Sequence, residues 1–223
     1  MSKKNWDIEN NFYYTSNKLR LQKIIDHYEI YKKILGLKGS VLEFGVFKGI
    51  SLIRLLTFRD LLEKQSKRKI IAFDNFGKFP TPYSTNKKIN NSDKKFAKKH
   101  DRVAGYGLTK KKLEMILKKK KFSNFELIKG DIRQTLPNKI NYLKKNKIKI
   151  SLLHLDVDVY EPTYLILSYL WKYIEKNGII LVDDYNSVDG ATLAVNDFLK
   201  KNKINIKIKR VSEYGRPYYF RKK

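Results

Sequence analysis

The stretch IKISLLHLDVDVYEPT, residues 148–163, decides how this chain is read. An apolar run climbs to Leu155 and then meets Asp156 and Asp158. A strand with one wet face would alternate; a continuous apolar run marks a strand covered on both faces, as in a parallel sheet between helices. Pro162 suits a first helical turn, and Leu165, Leu167, Leu170 and Ile174 continue as a helical pattern over 161–176. The unit is therefore strand, acidic turn, helix. GIILVDDY, residues 178–185, repeats its first half: an apolar strand running into Asp183 and Asp184.

Working outward, the same kind of strand recurs at SVLEF 40–44, KIIAF 69–73 and NFELIK 124–129, beside IKISLLHLD 148–156 and GIILVD 178–183. Helical patterns at 48–64, 109–120 and 190–200 separate them. Repeated alternation of strand and helix predicts an α/β fold, a doubly wound, Rossmann-like, mostly parallel sheet. Residues 17–35 read as an amphipathic helix with Leu21, Ile24, Tyr28, Tyr31 and Leu35 on one stripe. The tail offers INIKIKRV 204–211 and PYYFR 217–221 around SEYGR, a hairpin that makes the last strand antiparallel and the sheet about seven-stranded. One domain, 1–223, carries a helical extension over 1–36 and a lid-like insertion over 77–107. The insertion reads as a long, substrate-facing loop.

Composition bounds the rest. The 223 residues carry 49 Lys and Arg against 22 Asp and Glu, a net charge of +27, and no cysteine. No disulfide frame or thiolate metal site is possible. No apolar run approaches the roughly 20 residues of a membrane span, and the first residues lack the apolar core of a signal peptide. A cytoplasmic protein is expected. The lysines are scattered, and KKKK at 118–121 sits where a helix C-terminus favours cations. They read as solvated faces rather than a nucleic-acid surface. The aromatic stretch WDIENNFYY, residues 6–14, is a candidate surface for a homo-oligomer.

The strands ending near 43, 74, 131, 156 and 183 all finish in an acid. Open α/β sheets bind ligands at the carboxyl ends of their strands. VLEFGVFKGIS, residues 41–51, sets Glu43, Gly45 and Gly49 before a helix whose free amides suit an anion. It is not the G-x-G-x-x-G dinucleotide pattern. Asp74, at the tip of the second strand, is placed to accept hydrogen bonds from a ribose, and Asp131 follows Gly130 at the third tip.

VLEFGVFKGISL, AFDNFGKFP, LIKGDIRQTLP, LLHLDVDVYEPT and GIILVDDY, in that order, resemble the macrocin O-methyltransferase family. The likeness runs from about residue 40 to 190. It implies a class I methyltransferase fold, S-adenosylmethionine as cofactor, a divalent metal, and a sugar hydroxyl of a small molecule, glycan or glycolipid as acceptor. It also implies that Glu43, Phe44, Gly45, Gly49 and Ser51 hold the methionine part of the cofactor. On the same resemblance Asp74, Asn75 and Phe76 hold the ribose, Gly130, Asp131 and Ile132 border the adenine, and Asp156 lies beside the cofactor. Ile50 stands where the family usually has a further glycine.

Asp156, Asp158, Asp183 and Asp184 pose an electrostatic problem. Carboxylates about 4 Å apart repel by roughly 4 kcal/mol per pair at an effective dielectric of 20. Their flanking residues are Leu, Ile and Val. A hard dication such as Mg²⁺ or Mn²⁺ offsets that repulsion, and the resemblance assigns it to Asp156, Asp183 and Asp184. Asp158 remains as a general base, an acceptor that supports a metal ligand, or a helix cap. His154 is the second candidate for the base, against its reading as a packed strand residue. Two other function classes stay in view: a nucleic-acid methyltransferase, suggested by the charge, and a non-catalytic α/β binding module.

Overall fold

The structure, a computed structural model, describes residues 3–63 and 68–223. In chain order the elements are α1 Lys3–Thr15, α2 Lys18–Lys32, β1 Ser40–Phe44, α3 Ile50–Leu62, β2 Ile70–Asp74, α4 Lys87–Ala104 and α5 Lys110–Lys119. Then follow β3 Phe125–Lys129, α6 Ile132–Lys145, β4 Ile150–Leu155, α7 Tyr160–Leu170, a 3-10 turn at Trp171–Tyr173, β5 Ile174–Val182, α8 Asp189–Lys201, β6 Lys209–Arg210 and β7 Tyr218–Arg221. The expected extension and first helix reach residues 1, 2 and 64, which lie outside the described residues.

The sheet has seven strands in the order β3-β2-β1-β4-β5-β7-β6. The first five are parallel, and the terminal hairpin joins antiparallel through β7. Because side chains alternate across a strand, each central strand feeds two cores. Leu42, Phe44, Leu153, Leu155, Ile180 and Val182 pack against α6, α7 and α8. Val41, Leu152, Ile179 and Leu181 pack against α2, α3 and α5. Both faces are therefore apolar, which is why the strand sequences run continuously instead of alternating.

Three helices escape the sequence pattern. The insertion is not an irregular loop: it carries α4, capped by Asn86, whose side chain accepts from Lys88 and Ile89 N–H. Its buried line is Ile89, Asp93, Ala97, and the acid in the middle breaks the apolar period. α6 forms despite Pro137 inside it, because Leu136 and Leu143 are buried against the sheet and Asp131 caps the start. α1 buries none of its residues and leaves Trp6, Tyr13 and Tyr14 exposed. The helix expected over 161–176 stops at Leu170, and Ile174 begins β5 instead. The buried face of α2 also differs from the expected stripe. Asp26, His27, Ile30 and Tyr31 are buried, whereas Leu35 is exposed.

Candidate active site

The carboxyl ends of the parallel strands open onto one cleft of about 850 Å³, counting its mouth. The turn after β1 forms its floor. Gly45 has φ +89°, and a Cβ there would lie 1.8 Å from the carbonyl oxygen of Asp156, so only glycine lets the first turn run against the end of β4. Asp74 fixes the same turn: its Oδ2 accepts Val46 N–H at 2.7 Å and Phe47 N–H at 2.9 Å, and its Oδ1 accepts Phe76 N–H. At the next tip Gly130 N–H donates to the Asp74 carbonyl. Asp131 caps α6 through Arg133 N–H and pairs with the Arg133 guanidinium, which holds its carboxyl below the usual carboxylate range.

The insertion closes one side of the cleft. Gly107 N–H donates to Gly77 O, and Leu108 N–H to Phe47 O, so the segment starts and ends against the first turn. Within it His100 packs among Phe47, Phe79 and Phe96 and lines the cleft.

Two acidic groups meet at the ends of β4 and β5. Asp156, Asp158 and Asp184 each bring a carboxylate oxygen within 4.8 Å of the others. Asp156 and Asp158 line the cleft, and Asp184 Oδ2 is buried without a hydrogen-bond partner. Burial, then the charge of Asp156, pushes the Asp158 carboxyl up to about 8. Burial, then Asp183, pushes Asp156 up to about 6. Asp184 is raised well above the ordinary value by burial and then by Asp158. These shifts describe negative charge crowded together, which Lys23, 4.0 Å from Asp156 Oδ2, only partly offsets.

Asp183 belongs to the other group. Its Oδ2 accepts Lys23 Nζ at 2.6 Å, and its Oδ1 faces His27 and His154 at 3.8 and 3.9 Å. Burial alone would raise its pKa, but His154, His27 and Lys23 bring it well below the ordinary value. His154 Nδ1 lies 3.3 Å from Glu43 Oε1, and both residues are fully buried. Burial disfavours an imidazolium, yet Asp183 and then Glu43 raise the His154 pKa to about 10. An imidazolium between two carboxylates, with Lys23 on the outer one, is a charge-balanced buried network.

The structure thus brings Gly45, Asp74, Asn75, Gly130, Asp131, Ile132, Asp156 and Asp158 into one cleft wall. It does not place Glu43, Phe44, Gly49, Ser51 or Phe76 there. Glu43 lies against His154, its Oε1 3.3 Å from Nδ1. Phe44 is core, stacked on Phe73 at 4.4 Å. Gly49 is where Leu113 packs: an added Cβ would lie 2.5 Å from its Cδ1. His154 is fully buried and is not among the residues lining the cleft. Lys23 and His27, absent from the sequence reading, are the main additions. Their signal was present, since they stand four residues apart on the face that carries Ile30 and Ile34 into the core.

A family model for macrocin-O-methyltransferase (TylF) matches residues 13–222, nearly the whole chain. The chain belongs to the macrocin-O-methyltransferase family. It is therefore an enzyme of the O-methyltransferase class. Among solved structures, the O-methyltransferase NovP superposes with a TM-score of 0.75 at 19% identity, covering 90% of this chain and 79% of that one. CalS11, a calicheamicin methyltransferase, gives 0.70 at 21% identity, covering 97% and 85%. These two likenesses speak for the methyltransferase fold. No curated protein matches the chain.

Proposed function

We propose that this family member transfers the methyl group of S-adenosylmethionine to a sugar hydroxyl of a small molecule, glycan or glycolipid, with the help of Mg²⁺ or Mn²⁺. The observation that carries the reading is the single cleft in which Gly45, Asp74, Asn75, Gly130 and Asp131 meet the carboxylates of Asp156 and Asp158. The first turn and Asp74 would border the methionine and ribose parts of the cofactor, and Gly130 to Ile132 the adenine.

The donor set fits a hard dication. Asp156, Asp158 and Asp184 offer oxygen only, within 4.8 Å of one another, and Asp184 Oδ2 is buried without a partner. Asp156 and Asp184 would hold the ion. Asp183, expected as the third ligand, has one carboxylate oxygen engaged by Lys23 at 2.6 Å, and supports the pair from behind. A divalent ion in that position lowers the pKa of a hydroxyl and orients it. Asp158 is the group placed to take the hydroxyl proton. Burial and the charge of Asp156 raise its carboxyl, which favours uptake of a proton. Its backbone sits at φ +63°, a strained setting for a non-glycine residue that turns the chain between β4 and α7. Holding hydroxyl and sulfonium in line supplies most of the remaining acceleration.

No described helix is long and apolar enough to cross a membrane, which agrees with the cytoplasmic location we propose. The bare aromatic residues of α1 support a homo-oligomer. The deciding experiment pairs calorimetric titration of S-adenosylmethionine with radiolabelled methyl transfer to a panel of nucleotide-linked and free deoxysugars, in Mg²⁺ and in EDTA. Cofactor binding with metal-dependent labelling of a sugar is expected. Turnover that persists in EDTA removes the metal role, and a cofactor-bound enzyme that labels oligonucleotides but no sugar removes the acceptor class.

A further inference from the structure

The helices that follow the two acidic turns share an oddity. α7 has Val159 at its N-cap position and α8 has Val188, and neither supplies a side-chain acceptor to the free amides. Elsewhere Asn17, Asn86, Thr109 and Asp131 cap α2, α4, α5 and α6 in the ordinary way, and α3 starts from Gly49 without a side-chain cap.

For α7 the missing acceptor comes from the insertion. Asp93, on the buried side of α4 and 1% exposed, accepts Tyr160 N–H through Oδ2 at 2.9 Å. Its Oδ1 has no hydrogen-bond partner and lies 2.2 Å from where a Cβ on Gly190 would stand. That same Cβ would be 2.8 Å from Tyr160 N. Tyr160 opens α7 and Gly190 is the second residue of α8. One carboxylate therefore sits between the starts of both helices, and glycine at 190 leaves it the room. Burial raises the Asp93 carboxyl above the usual carboxylate range, and the Tyr160 N–H bond opposes that rise.

The two helices are the anchors of the acidic turns. Asp158 lies two residues before Tyr160, and Asp184 lies six before Gly190. On α4 itself, Asp93, Phe96, Ala97 and His100 fall at i, i+3, i+4 and i+7, one face of one helix. The face that carries His100 to the cleft also carries Asp93 to the helix starts.

We propose that Asp93 is a positioning residue: through it the insertion sets the spacing of Asp156, Asp158 and Asp184, so that seating α4 over the cleft and assembling the carboxylate cluster are one event. The proposal rests on the metal-dependent reading given above. It makes the insertion a part of the metal site's geometry as well as a wall against the acceptor.

The test uses the full chain and Mn²⁺ as probe. Asp93→Ala is expected to weaken Mn²⁺ binding, read by electron paramagnetic resonance, by about 10- to 100-fold, the usual loss when a supporting partner is removed. S-adenosylmethionine affinity stays unchanged. Asp93→Asn keeps an acceptor oxygen and restores most of the loss, while Gly190→Ala reproduces it without altering Asp93. Hydrogen exchange gives a readout independent of the reaction: amides opening α7 and α8 lose protection together in Asp93→Ala and in Gly190→Ala. Wild-type Mn²⁺ affinity in Asp93→Ala, or deprotection confined to one helix, overturns the proposal. If the wild type binds no divalent ion, the functional reading falls, and the exchange result still decides whether Asp93 holds both helix starts. Should Asp93→Ala fail to fold, Asp93→Asn and Gly190→Ala carry the comparison.

Discussion

Asp183 and Asp184 are neighbours in the chain, yet they join different groups of side chains. Asp183 points toward α2, where Lys23, His27 and His154 surround it. Asp184 meets Asp156 and Asp158, a group that Lys23 touches only at its edge, 4.0 Å from Asp156 Oδ2. A step of one residue at a strand end reverses the side-chain direction, and so separates a balanced network from an unbalanced one. The difference teaches where to look for chemistry. The buried group already holds its own positive charges and stabilises the junction of α2 with the sheet. The open group is left with negative charge that a dication, a proton or an acceptor must meet.

That contrast can be broken in several ways. The largest effect belongs to the open group: Asp158→Asn is expected to lower methyl transfer by about 10² to 10⁴-fold with cofactor affinity intact, read by single-turnover labelling. Unchanged turnover would leave Asp158 as a bend in the chain. The buried group should answer in stability instead. His154→Leu leaves Glu43 and Asp183 buried and facing each other, at a cost of about 3–5 kcal/mol in urea denaturation. Lys23→Met removes one partner of Asp183 while the histidines stay, and about 1–3 kcal/mol is expected. If Lys23→Met left stability intact and only weakened Mn²⁺ binding, the two groups would be one.

The pH dependence separates them further, with smaller amplitude. Asp158 titrates near 8 in the folded chain and near 4 unfolded. Its folded pKa is raised, so the stability it gives when protonated is full below about 4 and is lost as pH rises through about 8. Mg²⁺ should flatten that decline. His154, raised to about 10 from an ordinary value near 6.5, gives stability that is full below about 6.5 and is lost as pH rises through about 10. That second decline should be indifferent to Mg²⁺. Melting curves from pH 5 to 10, with and without the ion, read both.

Much of the fold was legible because both-face burial writes itself as continuous apolar runs. SVLEF coincides with β1, and the other parallel strands lie within a few residues of the expected spans. The ordering of acids at strand ends was legible for the same reason, since a strand's last residue is known once the strand is. Where the apolar code failed, a polar or helix-breaking residue had been accepted inside a packed element. Asp93 in α4 and Pro137 in α6 each interrupt a stripe that would otherwise announce a helix, and Asp26 with His27 shift the buried face of α2 away from its apolar stripe.

By itself, then, the chain's sequence determined the strand and helix alternation, the first glycine turn and the acids at the strand tips, because these follow from local periodicity and backbone sterics. Only the tertiary structure decided which acids share a site. Lys23 reaches Asp183 across 160 residues of sequence, and Asp93 reaches Tyr160 across 67. Such pairings depend on how helices seat against the sheet, and no local pattern encodes a distance of that kind.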